Sequence, residues 1–148
     1  VVVSYVIPID VAVPLVVLDT NVLVSALRSR RGASFAVVEQ IGTGTFEIAV
    51  SVPLVLEYED AMLRHRGSLA MSDVRDIVDY ICSVAVRQDV FFLWRPLLRD
   101  PNDDMVAEVA VAAGAQAIVT YNRHDFAGVE RLGLQIWSPQ HLLERTEK

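Results

Sequence analysis

Lysine is all but missing from this chain: of 13 basic residues, Lys148 is the one lysine and the rest are arginine. A nucleotide-binding P-loop needs a lysine behind spaced glycines, and neither the lysine nor the glycine pattern is there. Arginine suits bidentate phosphate contacts, but a compositional bias gives the same excess. Cysteine is as scarce. A lone Cys82 excludes an internal disulfide framework and a structural zinc site. It falls in an apolar helical pattern and reads as a small core residue. That usage fits a cytoplasmic protein. Positive charge is short too, with a net charge of −6 and a pI near 4.9, which argues against broad attraction to nucleic acid. It leaves open any site that holds divalent cations, since such a site is itself acidic.

No long apolar run reads as a membrane span. Val1 to Val13 is apolar but broken by Pro8 and Asp10, with Pro14 following. It also lacks the basic start and small-residue cleavage site of a signal peptide. Residues 1–14 therefore read as an N-terminal extension, poorly ordered or forming an extra edge strand, ahead of one domain over residues 15–148. No repeat, linker or low-complexity segment divides that domain.

What is present is apolar. At 53% hydrophobic over 148 residues, the chain can bury a sizeable core, and disorder is excluded. A mean hydropathy of +0.37 also points to a buried partner surface or a homodimer. Leu15–Leu18 is a continuous apolar run, as expected of a strand buried on both faces. Strands follow at Phe46–Val50, Val90–Trp94, Ala117–Thr120 and Leu134–Ile136. Helices are expected over Val22–Arg28, Ser34–Ile41, Pro53–Arg64, Ser72–Val86 (capped by Ser72), Asp103–Ala113 (ended by Gly114) and Pro139–Arg145 (capped by Ser138). Strands separated by helices predict a three-layer α/β/α fold around a parallel sheet of four to five strands.

Acids recur at the ends of these strands. Asp19 follows the first, and Glu57 lies in the first turns of the helix after the second. Asp100-Pro101-Asn102-Asp103-Asp104 opens the helix after the third, and Asp125 follows the fourth. In a right-handed parallel fold all of them lie at the C-terminal edge of the sheet, where such folds bind ligands. Taken singly, each has a plainer reading: Glu57 favours a helix N-terminus, the acids around Asp103 suit caps and first turns, and Asp125 suits a turn. Only their shared position sets them apart. Clustered carboxylates repel, and a hard cation such as Mg²⁺ or Mn²⁺ relieves the repulsion while keeping its own waters.

The ordered set resembles a known family. Asp19-Thr20-Asn21-Val22 is similar to the opening motif of PIN-domain nucleases. Leu56-Glu57-Tyr58 resembles their middle acid. Asp100–Asp104 with Ala110, Gly114-Ala115 and Thr120-Tyr121-Asn122-Arg123-His124-Asp125-Phe126 resembles their second half. The likeness runs from about Leu15 to Pro139. It implies a PIN-like fold and a Mg²⁺- or Mn²⁺-dependent ribonuclease, as in the VapC-type toxins of toxin–antitoxin pairs, with RNA as substrate and an antitoxin protein as partner. It implies Asp19 and Asp103 as metal ligands, with Glu57 and Asp125 completing the catalytic acids. Asn21, Thr120, Asn122 and Asp104 would support them. Asp104 with Glu108, four apart on one helix face, is a rival ligand pair. Asn122 stands where some members carry Asp, which bears on whether a second metal binds.

RNA contacts are expected from Arg28, Arg30, Arg31 and Arg123, with Arg64–Arg66, Arg95 and Arg99 as further basic groups. Tyr121 could stack a base, whereas Trp94 and Trp137 read as core. His65, His124 and His141 are scattered and read as surface residues. Two other classes begin with a strand-end Asp, the haloacid-dehalogenase phosphatases and the signalling receivers. Both need an internal lysine. A housekeeping RNA-processing nuclease and a PIN-like domain that binds without cutting are the remaining alternatives.

Overall fold

The computed structural model describes residues 13–90, 98 and 100–147. Five strands form one parallel sheet: β1 (Leu15–Leu18), β2 (Glu47–Val50), β3 (Val86–Arg87), β4 (Ala117–Val119) and β5 (Gln135–Trp137), in the order β3-β2-β1-β4-β5. Six helices join them: α1 (Thr20–Arg28), α2 (Ala33–Gln40), α3 (Val52–Arg64), α4 (Met71–Val84), α5 (Pro101–Ala113) and α6 (Pro139–Thr146). Two 3₁₀ turns, Arg123–Phe126 and Val129–Leu132, lie between β4 and β5.

Side chains alternate between sheet faces along a strand. Val16, Val17 and Leu18 are nevertheless all fully buried, as are Ala117, Ile118 and Val119. Both faces of β1 and β4 are therefore covered, which explains why these strands read as continuous apolar runs. Leu18 is in register with Val119. Beyond that pair the chain order reverses: β2 and β3 lie on one side of β1, and β4 and β5 on the other. The reversal places a crevice beyond the carboxyl ends of β1 and β4.

Local chemistry sets the helix ends. Ser51 caps α3, its Oγ accepting the Leu54 N–H at 3.2 Å, and Ser138 caps α6 through the His141 N–H at 3.1 Å. Gly114 ends α5 in the left-handed region at φ 65°, which only glycine adopts freely.

Three expectations are corrected. Val86, expected to end a helix, opens β3 (Val86–Arg87); of the strand expected over Val90–Trp94, Val90 is in no strand and residues 91–94 lie outside the described residues. Helix α4 begins at Met71 with Ala70, not Ser72, at its cap, and the Asp73 carboxylate accepts the Ala70 N–H at 3.2 Å. Cys82 is exposed, because the inward stripe of α4 runs through Val74, Val78 and Ile81 and Cys82 falls beside it. The extension over residues 1–12, Trp94, Arg95 and Arg99 are outside the described residues.

Candidate active site

Asp19 leaves β1 at the crevice and occupies the cap position of α1. Its backbone N–H still follows the sheet, donating to the Val119 carbonyl at 2.9 Å. Its carboxylate is buried and accepts the Thr120 hydroxyl at 2.7 Å. That hydroxyl in turn accepts the Asn122 N–H at 2.9 Å. Two neighbouring strand ends are thus tied together through one acid. Burial raises the Asp19 pKa, the bonds from Thr120 and the Thr20 backbone oppose the rise, and the charges of Asp125 and Asp100 add to it.

Helix α5 brings its acids to the same place. Asp100 caps it, accepting the Asn102 N–H at 2.9 Å, and Pro101 takes the first turn, where its missing N–H is no loss. Asp103 lies in that turn, partly buried. Its carboxyl is pushed up to about 7, first by desolvation and then by the charges of Asp19, Asp100, Asp125 and Asp104. Asp19, Asp100, Asp103 and Asp125 therefore share one field, although they come from three separate stretches of chain. Asp125 is exposed on the first 3₁₀ turn.

Other candidates are placed differently. Asp104 is buried, and its Oδ1 accepts the Leu98 N–H at 2.7 Å, pinning the approach to α5. Glu108, one turn on, is buried as well. Glu57 is not among the charges acting on Asp19 or Asp103; it lies 3.8 Å from Arg64 on its own helix. Arg28 ends α1 beside His65 Nδ1, at 3.3 Å, so about 13 Å of helix rise separates it from Asp19. Arg30 and Arg31 are exposed in the loop between α1 and α2. Arg123 turns toward β5 and donates to the Ile136 carbonyl at 3.3 Å. Trp137 is buried, stacked by His141 and covered by Arg145 at 4.6 Å.

Sequence reasoning missed Tyr58. Its hydroxyl donates to the Leu18 carbonyl at 2.5 Å, and burial together with the charge of Asp19 pushes its pKa up. The signal was present, since Tyr58 adjoins Glu57 in the same short motif. Asp100, one of the acids expected at the opening of this helix, is its cap and also adds charge to the site.

Does this set fit a divalent cation? Among the described residues, no group of three or more His, Cys, Asp and Glu side chains is drawn together closely enough to cage one. A Mg²⁺-like ion does not need a cage, because it keeps several waters and takes one or two carboxylates. Asp19 and Asp103 are both held above their ordinary pKa, and a positive charge between them would offset that. Two residues after Asp19, the Asn21 Oδ1 is a buried acceptor with no donor among the described residues, which suits a water or hydrated ion. The donors fit a hard, partly hydrated cation.

The same architecture occurs elsewhere. A chain of the VapBC2 complex from Rickettsia felis, bound to a DNA fragment from their promoter, superposes with a TM-score of 0.57 at 20% identity, covering 83% of this chain and 98% of that one. A chain of VapBC-1 from nontypeable Haemophilus influenzae gives 0.54 at 16% identity, with the same coverage. No curated protein matches in sequence. The sequence pattern of the PIN domain matches residues 15–124, a span that holds Asp19, Glu57, Asp103 and Thr120, and the chain belongs to the PIN domain family.

Proposed function

We propose that this chain is a Mg²⁺- or Mn²⁺-dependent endoribonuclease that cuts single-stranded RNA and acts as the toxin of a toxin–antitoxin pair. One observation carries the reading: buried Asp19, bonded to Thr120 at the strand-order reversal, shares a field with Asp100, Asp103 and Asp125. PIN domains are typically nucleases and generally use divalent metals. The VapBC complexes with the same fold support an antitoxin partner.

In this reading Asp19 and Asp103 would hold the cation. When bound, such an ion lowers the pKa of water and offsets charge growing on a phosphate. The chain's own residues set the stage. Thr120 fixes the rotamer of Asp19, Asn21 offers an acceptor to a water, and Tyr58 holds the end of β1. Asp125, exposed at the rim, would orient the attacking water, while Glu57, beside Arg64 on α3, would join the catalytic acids only by turning from that arginine.

The test is cleavage of a synthetic unstructured RNA by wild type with Mg²⁺ or Mn²⁺, by wild type in EDTA, and by D19N. Cleavage in the first reaction alone is expected, and equal cleavage in all three would sink the reading. For the toxin role, expression should slow growth, D19N should not, and a small protein from the neighbouring gene should relieve the arrest.

A further inference from the structure

Tyr121 is 48% exposed, yet its hydroxyl is tied down by a hydrogen bond with Ser34 Oγ. Ser34 is itself buried, in the first turn of α2. A phenol ring anchored at its far end has little rotamer freedom left, so a half-exposed aromatic ring is held in one orientation at the surface.

Chain neighbours place this ring at the carboxylates. Thr120 donates to Asp19, and the Asn122 N–H donates back to Thr120. The backbone on both sides of Tyr121 is therefore fixed against the site, one Cα step of about 3.8 Å from Thr120. The other end of the bond places the arginine loop. Arg31 and Arg30 precede Ser34 by three and four residues, so their Cα atoms lie within about 11 and 14 Å of it. Both are exposed, and no ion pair among the described residues engages them. The carboxylates, Tyr121, Ser34 and the loop that carries Arg30 and Arg31 are thus linked in turn, by chain neighbours and by the Tyr121–Ser34 bond.

We propose that this sequence is a path for the RNA strand: an unpaired nucleobase next to the scissile phosphate stacks on Tyr121, and the phosphates beyond it meet Arg30 and Arg31. The proposal rests on the ribonuclease reading above and adds the direction of the strand and the requirement that the stacked base be unpaired. Any base has a π-face, so stacking tolerates sequence, while guanidinium groups favour phosphate.

The test walks a single abasic site along an RNA oligonucleotide that wild type cuts. At one position beside the cleavage site the loss of the base should raise KM roughly five- to a hundredfold. In Y121A the same abasic site should add nothing, and Y121W should restore the penalty. Folding of each variant is checked by its melting curve, and the Y121W arm guards against a misfolded Y121A. In a second arm, binding to the uncut oligonucleotide is measured with D19N, with and without R30A and R31A. The salt slope should fall by about 0.7 per lost phosphate contact on a single strand. An abasic penalty that survives in Y121A, or an unchanged salt slope, overturns the path while leaving the ribonuclease intact. If wild type neither binds nor cuts any RNA, both readings fall.

Discussion

Asp19 and Thr120 show what a single hydrogen bond can do at this site. The Thr120 hydroxyl is the one side-chain donor to the Asp19 carboxylate among the described bonds, at 2.7 Å. T120V removes it and leaves buried Asp19 held by the Thr20 backbone alone. We expect kcat/KM to fall about 10- to 100-fold, as when a group supporting a metal ligand is lost, and T120S to recover most of it. D19N should be harsher, at least about a hundredfold, because it removes a ligand charge outright. Asp103 gives a pH test. Its carboxyl is ordinary near 3.8 when unfolded and is pushed up to about 7 when folded. Below about 4 it is protonated in both states and contributes nothing; above 7 it is ionised in both, and the folded state alone bears the desolvation and the repulsion from its neighbours. Its contribution to metal-free stability therefore falls as pH rises through that window. In EDTA the melting temperature of wild type, relative to D103N, should drop by a few degrees between pH 5 and pH 8. Mg²⁺ should raise it more at pH 8 than at pH 5. A difference that is flat with pH would remove the electrostatic account of Asp103.

Elements were legible where a residue's own chemistry decides the outcome. Ser51 and Ser138 sit at caps and Gly114 past a helix end, and each does there what its side chain or its lack of one allows. β1 was readable because burial on both faces leaves no polar position in it. Errors fall where geometry overrides composition. No breaker separates Val84, Ala85 and Val86, so nothing local announces that α4 stops and β3 begins there. Ser72 is a good cap by type, but α4 starts one residue earlier because Asp73 reaches back to the Ala70 N–H. Among the acids, the sequence shows that they share a sheet edge, yet cannot show that Asp104 is turned under the loop at Leu98 or that Glu57 lies beside Arg64. Two variants check this scale. S51A should lower stability by about 1 kcal/mol through the lost cap. G114A meets no atom within 4 Å, so its penalty of about 1–2 kcal/mol is conformational alone. Each kcal/mol should lower the melting temperature by about 2–4 °C, and G114A should leave cleavage unchanged.

The whole molecule poses an electrostatic problem that the site must solve. It carries a net charge of −6, and it gathers Asp19, Asp100, Asp103 and Asp125 where a polyanion is proposed to bind. The strand order favours this, since a parallel sheet that reverses between β1 and β4 brings acids following its strands toward one crevice. An acid about 10 Å from a phosphate repels it by roughly 0.4 kcal/mol in water. Several acids and several phosphates together come to about 1 kcal/mol after screening by salt, or roughly fivefold in affinity. Without a divalent cation the fold should therefore hold RNA weakly, and removing one acid should strengthen binding while abolishing cleavage. Anisotropy of a labelled RNA in EDTA at low salt is expected to show D19N binding up to about twofold more tightly than wild type. Mg²⁺ at matched ionic strength should tighten wild type more than D19N. If D19N binds no more tightly than wild type in EDTA, the acids do not face the RNA, and the crevice between β1 and β4 is not where the strand lies.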